Sequence, residues 1–245
     1  MPRLLSAFAL ALLVPLAAGA QSAPPGSAFT PAQRAEIVRI VREALKADPS
    51  ILRDAVDALR VEEGRRHEAA TRTAISLESK DLLHDQRDAV AGNPAGSTTL
   101  VEFYDIRCPY CRHMLPVVEQ VLRQDPQVRL VFKEMPVLGP ASRLGARALL
   151  AAARQGAYLK LQARLMRGGA PTEDSLHADA EALGLDWARL QRDMADPAIQ
   201  EKIDANLALA RRLGIEGTPA FVVGSKLIAG EAEMAELQTA IARPE

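Results

Sequence analysis

This chain of 245 residues holds only two cysteines, one tryptophan and 4% aromatic residues. Two cysteines exclude a disulfide framework, so stability has to come from packing. Histidine is almost as scarce. His67, His84, His113 and His177 are widely scattered, and without a second Cys/His pair a structural zinc site has no ligand spacing to use. No GxGxxG, Walker loop or H-E-x-x-H occurs. Neither sign of charge prevails: 30 basic residues face 31 acidic ones, a formal net charge of −1, which gives no electrostatic reason to expect nucleic acid or an anionic membrane as partner. Beyond residue 20 there is no uninterrupted apolar run of about 18 residues, the minimum for a membrane span.

The first 20 residues have a pattern of their own. Arg3 supplies a positive charge, residues 4–16 an apolar stretch interrupted by Pro15, and Ala18-Gly19-Ala20 a small-residue cleavage pattern. They are predicted to be an export signal cleaved after Ala20. No cysteine follows to carry a lipid, so the mature chain is expected free in an oxidising compartment, a bacterial periplasm.

Residues 21–28 are rich in Ala, Ser, Pro and Gly and are expected to form a leader. Thr30-Pro31 then opens a helix carrying Ile37, Val38, Val41 and Leu45 at helical spacing. After a break at Asp48-Pro49-Ser50, Leu52, Val56 and Leu59 continue a narrow stripe on a second helix, predicted to run in a more polar register to about 83. Helices this polar do not form a core alone, so residues 29–84 are expected to assemble with copies of themselves. Docking of the stripe on the same chain is the competing reading. Further on, 92–96 is a turn cluster with a short edge strand before it at about 87–91, and 98–104 and 128–134 are strands flanking a helix over 109–123. Residues 139–213 read as helical throughout, 220–223 and 226–229 as a hairpin about Gly224-Ser225, and 231–241 as a closing helix.

Both cysteines lie in Cys108-Pro109-Tyr110-Cys111, where the first strand ends and the helix begins. At a helix N-terminus free N–H groups and the dipole stabilise a thiolate, lowering its pKa from about 8.5. Cys108 is therefore the expected nucleophile, with the lower pKa and the greater exposure. Three positions on, Cys111 returns to within roughly 60° of the same helix face and is the expected resolving thiol. Arg107, directly before the nucleophile, adds a modulating cation. Cu(I) held by the two soft thiolates is the alternative of another class. His113, about 140° around the helix from Cys108, reads as a surface residue, and Trp187 as packing within the helical stretch.

The segment EFYDIRCPYC, the later GTPAF and the helical stretch between them resemble the DsbA-like branch of the thioredoxin superfamily over about residues 85–245. VFKEMPVLGPAS resembles a stretch of the exported relatives that include ScsC, which also carry an N-terminal helical extension. The resemblance implies a thioredoxin fold of α/β class with an inserted helical subdomain at about 139–213, and a division into signal peptide (1–20), helical oligomerisation region (21–84) and catalytic domain (85–245). It implies a cis-proline loop at Thr218-Pro219 facing the cysteines and, with Pro109 and Tyr110, contacting substrate. Glu102 matches a buried acid that assists proton transfer at the resolving cysteine. Lys133 and Glu134 are further candidates to modulate the site.

Implied partners are cysteine-containing exported proteins and a membrane redox partner, either a DsbD/ScsB-like reductase or a DsbB-like oxidase. No cofactor beyond a Cys108–Cys111 disulfide is expected. Tyr110 stands where the strongly oxidising DsbA has histidine, and Thr218 is more usual in isomerase-like relatives. The expected activity is thiol–disulfide exchange of isomerase type, with a monomeric dithiol oxidase as the alternative.

Overall fold

The structure is a computed structural model that describes residues 28–244. The expected signal peptide and nearly all of the leader lie outside the described residues. By its internal contacts the chain divides into a unit ending at Glu62 and a unit of residues 63–245.

The first unit is helical. Helix α1 (Pro31–Ala47) starts at Thr30, whose hydroxyl accepts from the Gln33 N–H while the Gln33 side chain accepts from the Thr30 N–H, and Pro31 fills the first helical position. Arg39 pairs with Glu36 and Glu43, one turn away on either side. Asp48 then stops the helix and bonds the Ser50 N–H and hydroxyl, opening α2 (Ser50–Leu77). Ile37, Val38, Val41, Leu52, Val56 and Leu59 are all exposed, and α1 has no buried residue.

The second unit takes the end of α2, then α3 (Ser79–Leu83), β1 (Val90–Gly92), β2 (Thr98–Tyr104), α4 (Pro109–Gln124) and β3 (Val128–Glu134). Helices α5 (Pro140–Ala153), α6 (Tyr158–Arg167), α7 (Glu173–Ala182), α8 (Trp187–Met194) and α9 (Pro197–Arg212) form the insert. Strands β4 (Ala220–Val223) and β5 (Lys226–Ala229) and helix α10 (Met234–Ala242) close the unit. The sheet order is β1-β3-β2-β4-β5, with β2 and β3 parallel across α4 and the other pairs antiparallel. This is a thioredoxin fold with a helical insert and an N-terminal helical part.

Alternation along the central strands decides which residues meet which layer. Leu100, Tyr104, Leu130 and Phe132 join Met114, Val118 and Val121 of α4 and the insert in the larger core. Val101, Phe103 and Val131 face the other way, onto Ile75 of α2, Leu82 of α3 and Leu209 of α9. Residues 63–83, expected in the oligomerisation region, thus supply part of the catalytic unit's core, and the seam falls at 62/63 where the sequence suggested 84/85. The second helix also breaks at Glu78 before α3, and the edge strand starts at Val90, three residues later than expected, because 85–88 bends through a turn held by Asp85.

Candidate functional site

Strand β2 runs buried through Tyr104 and stops at Asp105, which is itself buried. The Asp105 carboxylate accepts the N–H groups of Arg107 at 2.8 Å and Leu138 at 3.0 Å, pinning the loop before the cysteines to the loop after β3. Arg107 repeats the tie by donating to the Leu138 carbonyl at 2.8 Å. Cys108 is the N-cap of α4, with Pro109 at the first helical position. The loop sits hard against α5, since a Cβ at Gly145 would overlap the Ile106 side chain and come within 3.2 Å of Pro171. Arg112 locks the same loop from the other side, donating to the carbonyls of Ile106 at 2.8 Å, Gly168 at 2.8 Å and Leu165 at 3.3 Å.

The peptide bond Thr218-Pro219 is cis, and the Cys108 thiol donates to the Thr218 carbonyl at 3.2 Å across 110 residues of sequence. Cys108, Cys111 and Thr218 are thus brought together as the motif predicts, and both cysteines are free thiols. Cys108 is the more accessible of the two thiols, as expected, but at only 4% against a fully buried Cys111, because the 218–219 loop lies over it. Burial pushes the Cys111 thiol well above the ordinary range, reinforced by the nearby Glu102 carboxylate. Pro109 and Tyr110 are exposed, so the surface beside the thiols is formed by the two residues between them.

Glu102 points from β2 to the same side as Leu100 and Tyr104, the side of α4, and is buried. Desolvation pushes its carboxyl up to about 8. Lys133 and Glu134 follow each other on β3 and therefore face opposite layers. Glu134 accepts from the Tyr158 hydroxyl and from Asn206 Nδ2 at 3.1 Å, and Tyr158 meets the Tyr104 hydroxyl at 2.7 Å. Lys133 bonds Asp88 at 2.6 Å and the Asp81 carbonyl at 2.6 Å, and Lys202 completes this cluster with Asp85 and Asp88. Burial lowers the Lys133 pKa against the pull of Asp88. The hydrogen bonds of both residues lead away from the thiols, so their expected modulating role gains no contact. His113 is exposed and pairs with Glu231 at 2.5 Å, and Trp187 stacks on His177 with ring centroids 4.8 Å apart. Sequence reasoning missed Asp105 and Arg112. Arg112 follows the motif directly, but two of its three carbonyl acceptors, Leu165 and Gly168, lie in a part of the chain that only folding brings near.

The profile of the DSBA-like thioredoxin domain matches residues 99–242, more than half of the chain. The chain belongs to the DsbA-like thioredoxin family. Within that family, the profile of the copper resistance protein ScsC N-terminal domain matches residues 33–64. A thioredoxin-like oxidoreductase from Silicibacter pomeroyi is 43% identical, aligned over 67% of this chain and 95% of that one with a TM-score of 0.65. A linker-deletion mutant of Proteus mirabilis ScsC is 27% identical over 89% of this chain and 97% of that one, also at 0.65. The curated relative Na(+)/H(+) antiporter NhaA 3 of Salinispora tropica is 31% identical over 161 residues, 63% of this chain, and the DsbA-like chain spans about a quarter, 24%, of its length. No helix among the described residues is long and apolar enough to cross a membrane.

Proposed function

We propose that this chain is a periplasmic thiol–disulfide oxidoreductase of isomerase type acting on cysteine-containing exported proteins. The observation that carries the reading is the Cys108 thiol held against the carbonyl before a cis proline, with a second, deeper thiol one turn along the same helix. The Cys108 thiolate attacks a substrate disulfide, forms a mixed disulfide and releases one substrate thiolate. Cys111 then attacks Cys108 Sγ, frees the second substrate thiol and leaves the Cys108–Cys111 disulfide as the only redox group the reaction needs. An extended substrate strand pairs with the backbone of Thr218 over Pro109 and Tyr110. Its N–H competes with the Cys108 thiol for the Thr218 carbonyl, so docking frees the nucleophile.

Cys111 must lose a proton in a buried place, and Glu102 is the group to take it. With its pKa at about 8, a minor fraction of Glu102 is ionised near neutral pH, and that carboxylate accepts the Cys111 proton. The same burial disfavours a Cys111 thiolate and so opposes Cu(I) ligation by the pair. Isomerase character is supported by the exposed apolar stripe of residues 37–59 and its overlap with the ScsC N-terminal profile. Self-assembly through that stripe sets several thiol pairs around one substrate and raises their effective concentration.

An isomerase has to be kept reduced, which calls for a DsbD/ScsB-like membrane reductase rather than a DsbB-like oxidase. The deciding experiment is reactivation of a ribonuclease with scrambled disulfides by the reduced full chain. Recovery of activity is expected. Rapid oxidation of reduced ribonuclease without recovery from the scrambled form would establish the oxidase instead.

A further inference from the structure

Two guanidiniums are held at the loops about Cys108 and a third arginine lies in the first turn of α5 that follows them, and among the described residues none of the three pairs with a carboxylate. Arg107 and Arg112 are held on carbonyl oxygens, which satisfy N–H groups without cancelling charge. Arg143 is exposed in the first turn of α5, just beyond the loop that carries Leu138. Elsewhere in the unit Arg154 pairs with Asp193 and Asp196, Arg164 with Asp179, Arg167 with Glu119 and Arg212 with Glu78, while Arg129 and Arg147 are held, like Arg107 and Arg112, by neutral groups. Of the three acids of this region, Glu216 is exposed two residues before Thr218 and offsets one of these charges, while the other two are buried. Asp105 is buried with both oxygens taken by N–H groups, and Glu102 is buried with its pKa at about 8.

Apolar surface accompanies the charge. Of the five exposed large apolar side chains described between residues 63 and 244, three are Tyr110, Val137 and Leu138, at 58%, 47% and 44% accessibility. The Arg107–Leu138 hydrogen bond joins the loop bearing the nucleophile to the loop bearing the last two. A rim that is both cationic and apolar is complementary to an extended segment that is both acidic and apolar.

We propose that this rim selects substrates, taking cysteines that sit in extended segments beside an Asp or Glu and an apolar residue. The inference rests on the thiol–disulfide reading above and names its substrate class. In the oxidised chain the substrate thiolate attacks Cys108 Sγ. A peptide–Cys108 S–S bond forms as the Cys108–Cys111 bond breaks, and the electron pair leaves on the buried Cys111, which takes the proton that Glu102 holds. Arg107, Arg112 and Arg143 raise the local concentration of acidic segments before that step, so the effect lies in the encounter and is screened by salt.

The test uses the oxidised full chain and three peptides of equal length, each with one cysteine flanked by Asp-Leu, Asn-Leu or Lys-Leu. Mixed-disulfide formation is followed after acid quenching. Each rate is divided by that of the same peptide with 2-hydroxyethyl disulfide at the same pH, which removes differences in the peptides' own thiol pKa. At low ionic strength the acidic peptide should exceed the basic one about tenfold, and the ratio should shrink to about twofold near 1 M salt, where screening acts within about 3 Å. Arg107→Gln should lower the ratio and Arg143→Glu lower it further. Equal normalised rates for the three peptides, or a ratio that Arg143→Glu leaves intact, would overturn the selection. No exchange with any peptide would instead bring down the oxidoreductase reading on which it rests.

Discussion

Helix α1 has 17 residues and buries none of them, whereas α5 has 14 and buries eight. Both start with proline at the first helical position and both carry a clear apolar face, although α1 has charged residues around the rest of its surface where α5 is rich in Ala and Leu. The difference lies in what each face meets. Leu149 and Leu150 of α5 sit in a core shared with the sheet and α6, while Ile37, Val38 and Val41 of α1 remain open. A helix in water draws most of its stability from tertiary packing. An open stripe that is nonetheless regular fits the assembly proposed above, in which a second copy of the chain covers it with the same stripe. The proposed function thus places chemistry in one unit and assembly in the other.

Cutting the chain at the seam gives the largest expected effect. A version beginning at Glu63 should fold, keep single thiol–disulfide exchange, fall to monomer mass by light scattering and lose more than about tenfold in scrambled-ribonuclease reactivation. A version beginning at residue 85 should fare much worse in stability. It removes Ile75 and Leu82 from the core and the Asp81 carbonyl from Lys133, and loss of one buried Leu alone costs about 2–5 kcal/mol. Unchanged mass after the cut at 63 would dissolve the division of labour between the units.

Within the catalytic unit, Glu102→Gln sharpens the contrast between burial that stabilises and burial that serves chemistry. Between the ordinary value of 4.5 and about 8, the folded chain keeps a proton on Glu102 that the unfolded chain has released. Wild-type stability should therefore fall as pH rises through that window, by roughly 1.4 kcal/mol per pH unit in excess of the Gln variant. Urea midpoints at pH 5 and pH 9 measure this, and parallel pH profiles would remove Glu102 from its role. The variant should also slow resolution of the mixed disulfide by about 10²-fold.

The smallest effect is expected from Gly145→Ala, which tests how tightly the insert is pressed on the loop before Cys108. The added methyl meets the end of the Ile106 side chain, which can give way at a cost of about 1–3 kcal/mol in thermal stability. A variant as stable as wild type would mean that the insert tolerates slack against the active-site loop.

Much of this was legible in the chain. A C-x-x-C at the junction of TTLVEFY and a helix opened by proline is a local pattern, and local patterns survive folding. The break at Asp48 was readable for the same reason, since Asp and Pro act through their own backbone. The seam at 62/63 was not, because nothing in the spacing along α2 shows that Ile75 meets Phe103 while Leu59 meets solvent. The buried cluster of Lys133, Lys202, Asp85 and Asp88 escaped as well: alternation gives the two faces of β3 but not which layer will carry counter-charges.

Sequence alone therefore determined most of the elements and the thiol pair at the strand–helix junction, because each depends on residues adjacent in the chain or one helical turn apart. Tertiary structure alone decided that the Thr218 carbonyl covers the Cys108 thiol, that Glu102 is desolvated, and that Arg112 donates to the distant carbonyls of Leu165 and Gly168. These depend on which surfaces the fold presses together and on how much water is left between them. Neither is a property of any short stretch of chain.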